Sequence, residues 1–294
     1  MDHQFSRRTM LKTGALGGVA GLAGCLDTLM QAMDEPLYRQ WLADPGAFDA
    51  DHYQVQFLNV DEIADNHTAI NQGFYDEVRN IEGVFPGVEF DQIDRVTALN
   101  IVMIAAGEFD TAEIVDELEE DGFSHESEHE GYDIYDMDES AAVGFTDDAV
   151  IVVPFASDPP AIELIELIVD AQEGNIDRYH ETSGEFEAIT DEVGFATMLG
   201  VQTFDPVEQT HPESGQFENN VGVAIGWDID AGTAEFTAAL AFEDAEDVVP
   251  SDIETWTQAA DEFDAVEDPT VESDGTLAVV TGTADTADIQ SLPF

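Results

Sequence analysis

Apolar and polar positions alternate from Tyr53 through Val55 to Phe57, with Gln54 and Gln56 between them, and this period of two predicts a strand over 53–58. Helical spacing follows over about 60–72 and 74–81, and then an apolar run from Val96 to Ala106 reads as one long strand. Asp110 with Glu113 has the form of a capping box, opening a helix that Gly122 closes. Strands are expected at about 131–136, 141–146 and 149–154, with Asp147-Asp148 as the last turn. Pro159-Pro160 starts a helix to about 173, in which Ile162, Ile165 and Val169 form a stripe beside a charged face. Ser183 caps a helix to 193. Further strands are expected at about 195–204, 220–229, 234–243 and 275–284, and Ser251 with Glu254 predicts a second capping box. Residues 205–219 form a polar loop.

Strands and helices do not alternate as in βαβ units. The pattern therefore predicts an α+β fold, with antiparallel or mixed sheets, helices packed on one face, and two similar-sized units. The expected boundaries are 1–24, 25–48, 49–180 and 181–294.

The first segment differs in kind. Ser6-Arg7-Arg8-Thr9-Met10-Leu11-Lys12 fits a twin-arginine export signal, and Thr13 to Leu26 runs without a charge but is too short to span a bilayer. The run ends in Leu22-Ala23-Gly24-Cys25, the form of a lipobox, in which small residues let a peptidase reach the bond before a Cys that carries lipid. Residues 1–24 are thus expected to be a signal peptide. Residues 25–48 are expected to be a lipidated N-terminus with short amphipathic helices through Leu26, Leu29, Met30, Met33, Leu37, Trp41 and Leu42. Cys25 is the only cysteine, so the chain forms no internal disulfide.

Charge sharpens the picture. The chain of 294 residues holds 66 Asp plus Glu against 7 Lys plus Arg, a formal charge of −59, yet 44% of it is apolar, enough for a core. After Gly24 only Arg39, Arg79, Arg95 and Arg178 are cationic, with no lysine. So few cations exclude nucleic-acid binding by counterion release, and also an electrostatic hold on anionic lipid. Self-repulsion of this size calls for molar salt, where the Debye length falls to about 3 Å.

Candidate chemistry is thin. His125-Glu126-Ser127-Glu128-His129 matches H-E-x-x-H, which on a helix would place two histidines on zinc and a glutamate on its water. Here it follows Gly122, precedes Gly131 and is polar throughout, which predicts a solvated hairpin; His125 and His129 remain weak metal candidates. Asp136 with Asp138, and Asp228 with Asp230, lack the spacing and glycine of a calcium loop. No nucleophile elbow, haem motif, Walker loop or dinucleotide fingerprint occurs, and no cofactor is expected. Trp227 and Trp256 are expected in the core, and Arg95 and Arg178 in structural ion pairs.

Arg7-Arg8, Leu22 to Cys25 and the lysine-free acidic remainder resemble haloarchaeal surface lipoproteins exported by the twin-arginine route. A weaker likeness extends to Tyr38-Arg-Gln-Trp41-Leu with Pro45-Gly-Ala-Phe48, and to Gly107-Glu-Phe109-Asp with Gly131-Tyr132. The resemblance implies a diether-type lipid on Cys25 and an address on the extracellular face of the cytoplasmic membrane, and no activity. The expected function is therefore a non-catalytic binding or scaffolding lipoprotein anchored in the lipid membrane through Cys25. A metal-dependent hydrolase using His125, Glu126 and His129, or a solute-binding lipoprotein with a cleft near 175–194, stands as the alternative.

Overall fold

In this computed structural model the structure describes residues 36–48, 50, 52–138, 140–156 and 159–292. The expected export signal with Arg7 and Arg8, the expected lipobox Leu22, Ala23, Gly24 and Cys25, and most of the expected amphipathic segment lie outside the described residues. The segment Tyr38–Phe294 forms one compact unit.

Among the described residues, twelve strands make one antiparallel sheet. They are β1 (Gln54–Asn59), β2 (Ile93–Leu99), β3 (Val102–Gly107), β4 (Ser124–His129), β5 (Tyr132–Met137), β6 (Ala141–Phe145), β7 (Ala149–Val153), β8 (Met198–Thr203), β9 (Asn220–Asp230), β10 (Thr233–Phe242), β11 (Glu267–Asp274) and β12 (Leu277–Asp285). Their order is β11-β12-β10-β9-β8-β1-β2-β3-β7-β6-β5-β4. The helices are α1 (Val60–Asp65), α2 (Gln72–Arg79), α3 (Thr111–Asp121), α4 (Ala161–Glu173), α5 (Tyr179–Thr182), α6 (Gly184–Val193) and α7 (Pro250–Ala259).

The α+β class and antiparallel pairing hold. The placement of helices on one face does not. Val60, Ile63, Phe74, Val78, Ile114, Leu118, Ile253 and Trp256 put α1, α2, α3 and α7 on one face of the sheet. Leu164, Ile165, Ile168, Phe186 and Ile189 put α4 and α6 on the other, beside Tyr38, Trp41 and Leu42. The cause is the strands themselves. All five residues of β7 are buried, and a strand buried on both sides needs a cover on both. Nor do 49–180 and 181–294 form separate sheets. β1 pairs with β8, Val55 opposite Val201 and Phe57 opposite Leu199, so one sheet crosses the expected boundary.

That central pair is flanked alike on both sides. The hairpins β2–β3 and β9–β10 border it, each followed by a helix on the same face, α3 or α7, and then by strands that return beside β3 or β10. Val55 and Phe57 face the same core as Leu199 and Val201, as a two-fold relation through the pair requires.

Local chemistry explains most element ends. Asp110 accepts from the Ala112 N–H at 3.0 Å and opens α3, and Gly122 ends it at φ 93°. Ser183 caps α6 by accepting from the Phe186 N–H. The expected Ser251–Glu254 capping box is absent: α7 starts two residues earlier, at Pro250 after the N-cap Val249, and the Pro250 ring presets the helical φ at a position that needs no N–H. The single strand expected over 96–106 is two, β2 and β3. Asn100 turns the chain at φ 50°, and both its backbone N–H and its side-chain oxygen bond Gln54. With strands buried on both faces, no run of polar residues announces such a turn.

Candidate functional site

The H-E-x-x-H segment is the edge strand β4, not a helix, and a bulge divides its histidines. His125 pairs with Tyr135, whereas Ser127 pairs with Ile134 and His129 with Tyr132. Tyr135 faces the α3 side of the sheet, and Tyr132 and Ile134 face the α4 side. His125 therefore lies edge-on to Tyr135 with its Nε2 3.5 Å from Asp133, on one face. His129 meets Asp170 of α4 at 3.0 Å on the other, and Asp170 also accepts from Asn175. Two ligands on opposite faces cannot hold one zinc ion, which removes the hydrolase constellation of His125, Glu126 and His129. Among the described residues no three His, Cys, Asp or Glu side chains group as metal ligands.

The 175–194 junction, where a two-lobed solute binder would open, is filled. Phe186 and Ile189 are fully buried against the sheet, and Tyr179 stacks on Tyr53 with ring centroids 4.9 Å apart.

A concave site lies elsewhere, on the α7 face. Ile225 and Trp227 of β9 and Phe236 of β10 form its floor. The turn after α7 supplies Asp261, Glu262, Asp264 and Ala265, and the C-terminal segment supplies Asp288 to Leu292. The cavity is about 740 Å³, within the range of small-molecule sites. Its floor is rigid, because Trp227 meets Phe236 at 4.8 Å, Phe236 meets Phe263 at 5.2 Å, and Phe263 meets Trp256 at 4.7 Å, all edge-on. The arrangement offers an apolar floor and hydrogen-bond acceptors at the mouth. Both tryptophans are core residues, as expected; that Trp227 also floors a cavity depends on the C-terminal segment crossing back over β9, anchored by Ile289. The sequence trace of that crossing is no more than Ile289 and Leu292 spaced among polar residues.

The four arginines that follow Gly24 are used differently. Arg39 is buried and donates to Thr190 and to Asp191, the latter at 2.7 Å, fastening the segment before β1 to the last turn of α6. Arg178 donates to the carbonyls of Ala171 and Gln172 at the C-terminus of α4, a helix-capping contact. Arg95 lies 3.7 Å from Asp94. Arg79 sits over the Phe90 ring at 5.6 Å, beside a groove of about 640 Å³. Burial pushes the Tyr38 hydroxyl up to about 12, and burial followed by Glu173 does the same for Tyr132.

No helix of the described residues is long and apolar enough to cross a membrane. No protein-family model matches the chain, and no curated protein does. Among solved structures, crystal form III of TP0453 matches with a TM-score of 0.49 and 12% identity, covering 86% of this chain and 94% of that one. Crystal form I of TP0453 matches with a TM-score of 0.46 and 12% identity, over 83% and 93%.

Proposed function

We propose that the protein is a surface lipoprotein of a halophilic archaeon, exported by the twin-arginine route and held to the membrane by lipid on Cys25, and that it acts by binding rather than catalysis. The observation that carries this reading is a division of labour along the chain. The expected export and anchoring signals fall within residues 1–25, ahead of Tyr38–Phe294, which forms one compact unit. A compact body of this kind suits a route that exports folded proteins. The surplus of carboxylates suits molar salt. The binding role falls to the cavity floored by Trp227 and Phe236, which has the volume and rigidity of a ligand site.

Cys25→Ser should abolish membrane retention, leaving the protein in the medium or uncleaved at residue 24. Fractionation of cells, with mass spectrometry of the N-terminal peptide, reads the outcome. A cleaved Cys25→Ser protein still retained on the membrane refutes the anchor.

A further inference from the structure

Two of the most exposed large apolar side chains are phenylalanines at opposite ends of the sheet. Phe195 is 57% exposed and Phe155 67%. Phe195 precedes β8 at the end where Met198 pairs with Leu58. Phe155 follows β7, whose Val152 pairs with Met103 at the start of β3, level through Leu99 and Val55 with Val201 late in β8. In a chain so rich in carboxylates, either side chain could have been replaced by a charged one at no loss of packing.

The course of the N-terminal segment distinguishes the two ends. Arg39 holds Asp191 in the last turn of α6, while the Leu42 carbonyl accepts from the Tyr179 N–H ahead of that helix. The segment therefore runs alongside α6 in the opposite direction, toward Tyr53 and β1. Tyr38, the neighbour of Arg39, therefore lies toward the Asp191 and Phe195 end of that helix. Phe195 is four residues beyond Asp191, at most about 14 Å along the chain. Thirteen residues separate Cys25 from Tyr38, a reach of at most about 45 Å, so the lipid is tethered to the body at the Tyr38 side.

We infer that the corner between α6 and β8 rests on the lipid surface, with the Phe195 ring entering the interface, while the Phe155 end faces away from the membrane. This rests on the lipid anchor at Cys25 and adds an orientation to it. The nearby carboxylates do not oppose contact: Asp191 is paired with Arg39, Glu62 accepts from the Thr197 hydroxyl at 2.9 Å, and Glu62 and Glu192 are screened where the Debye length is about 3 Å or less. An aromatic ring inserted beside the lipid anchor supplies the further contact that a polybasic patch gives elsewhere, in a chain that has no such patch.

The test uses the full mature protein in phosphatidylglycerol vesicles doped with a diazirine phospholipid, in about 3 M KCl, with photo-adducts mapped by mass spectrometry. Adducts concentrated on residues 194–196, with 154–156 unlabelled, are expected. Phe195→Ser should cut labelling of that corner about tenfold, as the loss of a buried ring implies, and Phe155→Ser should leave it unchanged. Equal labelling of both ends, or labelling of Phe155 alone, overturns the orientation. The same spectra report the lipid on Cys25. A bare Cys25 with Phe195 labelled sinks the anchor and leaves the lipid-facing corner; a lipidated Cys25 with Phe195 unlabelled sinks the corner alone; a bare Cys25 with Phe195 unlabelled sinks both.

Discussion

Tyr38 and Tyr132 show how single residues carry the pH limits of this fold. A solvated tyrosine ionises near 10, whereas burial holds both of these protonated to about 12, and Tyr53 is raised in the same direction by burial against Tyr179. The folded state thus binds these protons more tightly than the unfolded chain. Below pH 10 both states keep them and nothing is lost; between pH 10 and 12 the unfolded chain releases them first and stability falls. For Tyr38 the loss approaches about 2–3 kcal/mol when complete. A titration at 295 nm in molar salt should find Tyr38, Tyr53 and Tyr132 un-ionised at pH 11 while the protein is folded, with melting temperature falling from pH 9 to 11. Ionisation of all six tyrosines in the folded state would contradict the burial argument.

At the scale of elements, the open end of the β2–β3 hairpin depends on one small residue. A Cβ on Gly107 would lie 1.9 Å from the Gln92 carbonyl, which itself accepts from the Glu108 N–H, so neither strand can yield without breaking the bond between them. Gly107→Ala should cost about 3 kcal/mol, whereas Gly83→Ala, where nothing lies within 4 Å, should stay within about 0.5 kcal/mol. Denaturant midpoints measured side by side decide, and equal midpoints would refute the clash. Both outer strands of the sheet are guarded. β4 carries Glu126, Glu128 and a bulge, and β11 carries Pro269, four acids and a bulge, which discourages edge-to-edge pairing with other chains. The residues that resemble a zinc motif serve in this way on a polar edge.

The whole molecule balances two apolar cores against a formal charge of −59. Four arginines after Gly24, of which Arg39 and Arg95 meet carboxylates and Arg178 also bonds helix carbonyls, can pair with few of the acids, so most acids face one another through solvent. Repulsion of that kind is screened at about 1 M salt and restored in dilute buffer. Melting temperature should therefore fall steeply as KCl drops below about 1 M, and circular dichroism should show unfolding in dilute buffer. An unchanged melting temperature would mean that the cores outweigh the charge unaided. Because β1–β8 joins both segments at the centre of the sheet, the loss should be one transition and not two.

Much of the architecture was legible because it rests on local rules. The period of two in 53–58, the Asp110 and Ser183 caps, and the left-handed glycines at 122 and 174 are each decided within a few residues. The four cations after Gly24 and the lipobox are likewise properties of sequence alone, and they bear on export and solvent. Three things were decided only by tertiary structure. The turn at Asn100 is hidden inside an apolar run, because strands buried on both faces need no polar punctuation there. The bulge in β4 shifts pairing by one residue and so sends His125 and His129 to opposite faces, which spacing in the sequence cannot reveal. The Trp227 cavity, and the meeting of β1 with β8, join residues separated by tens to more than a hundred positions. Local preference fixes which element a segment forms; which elements become neighbours depends on burying both faces of one sheet at once, and only the folded chain solves that.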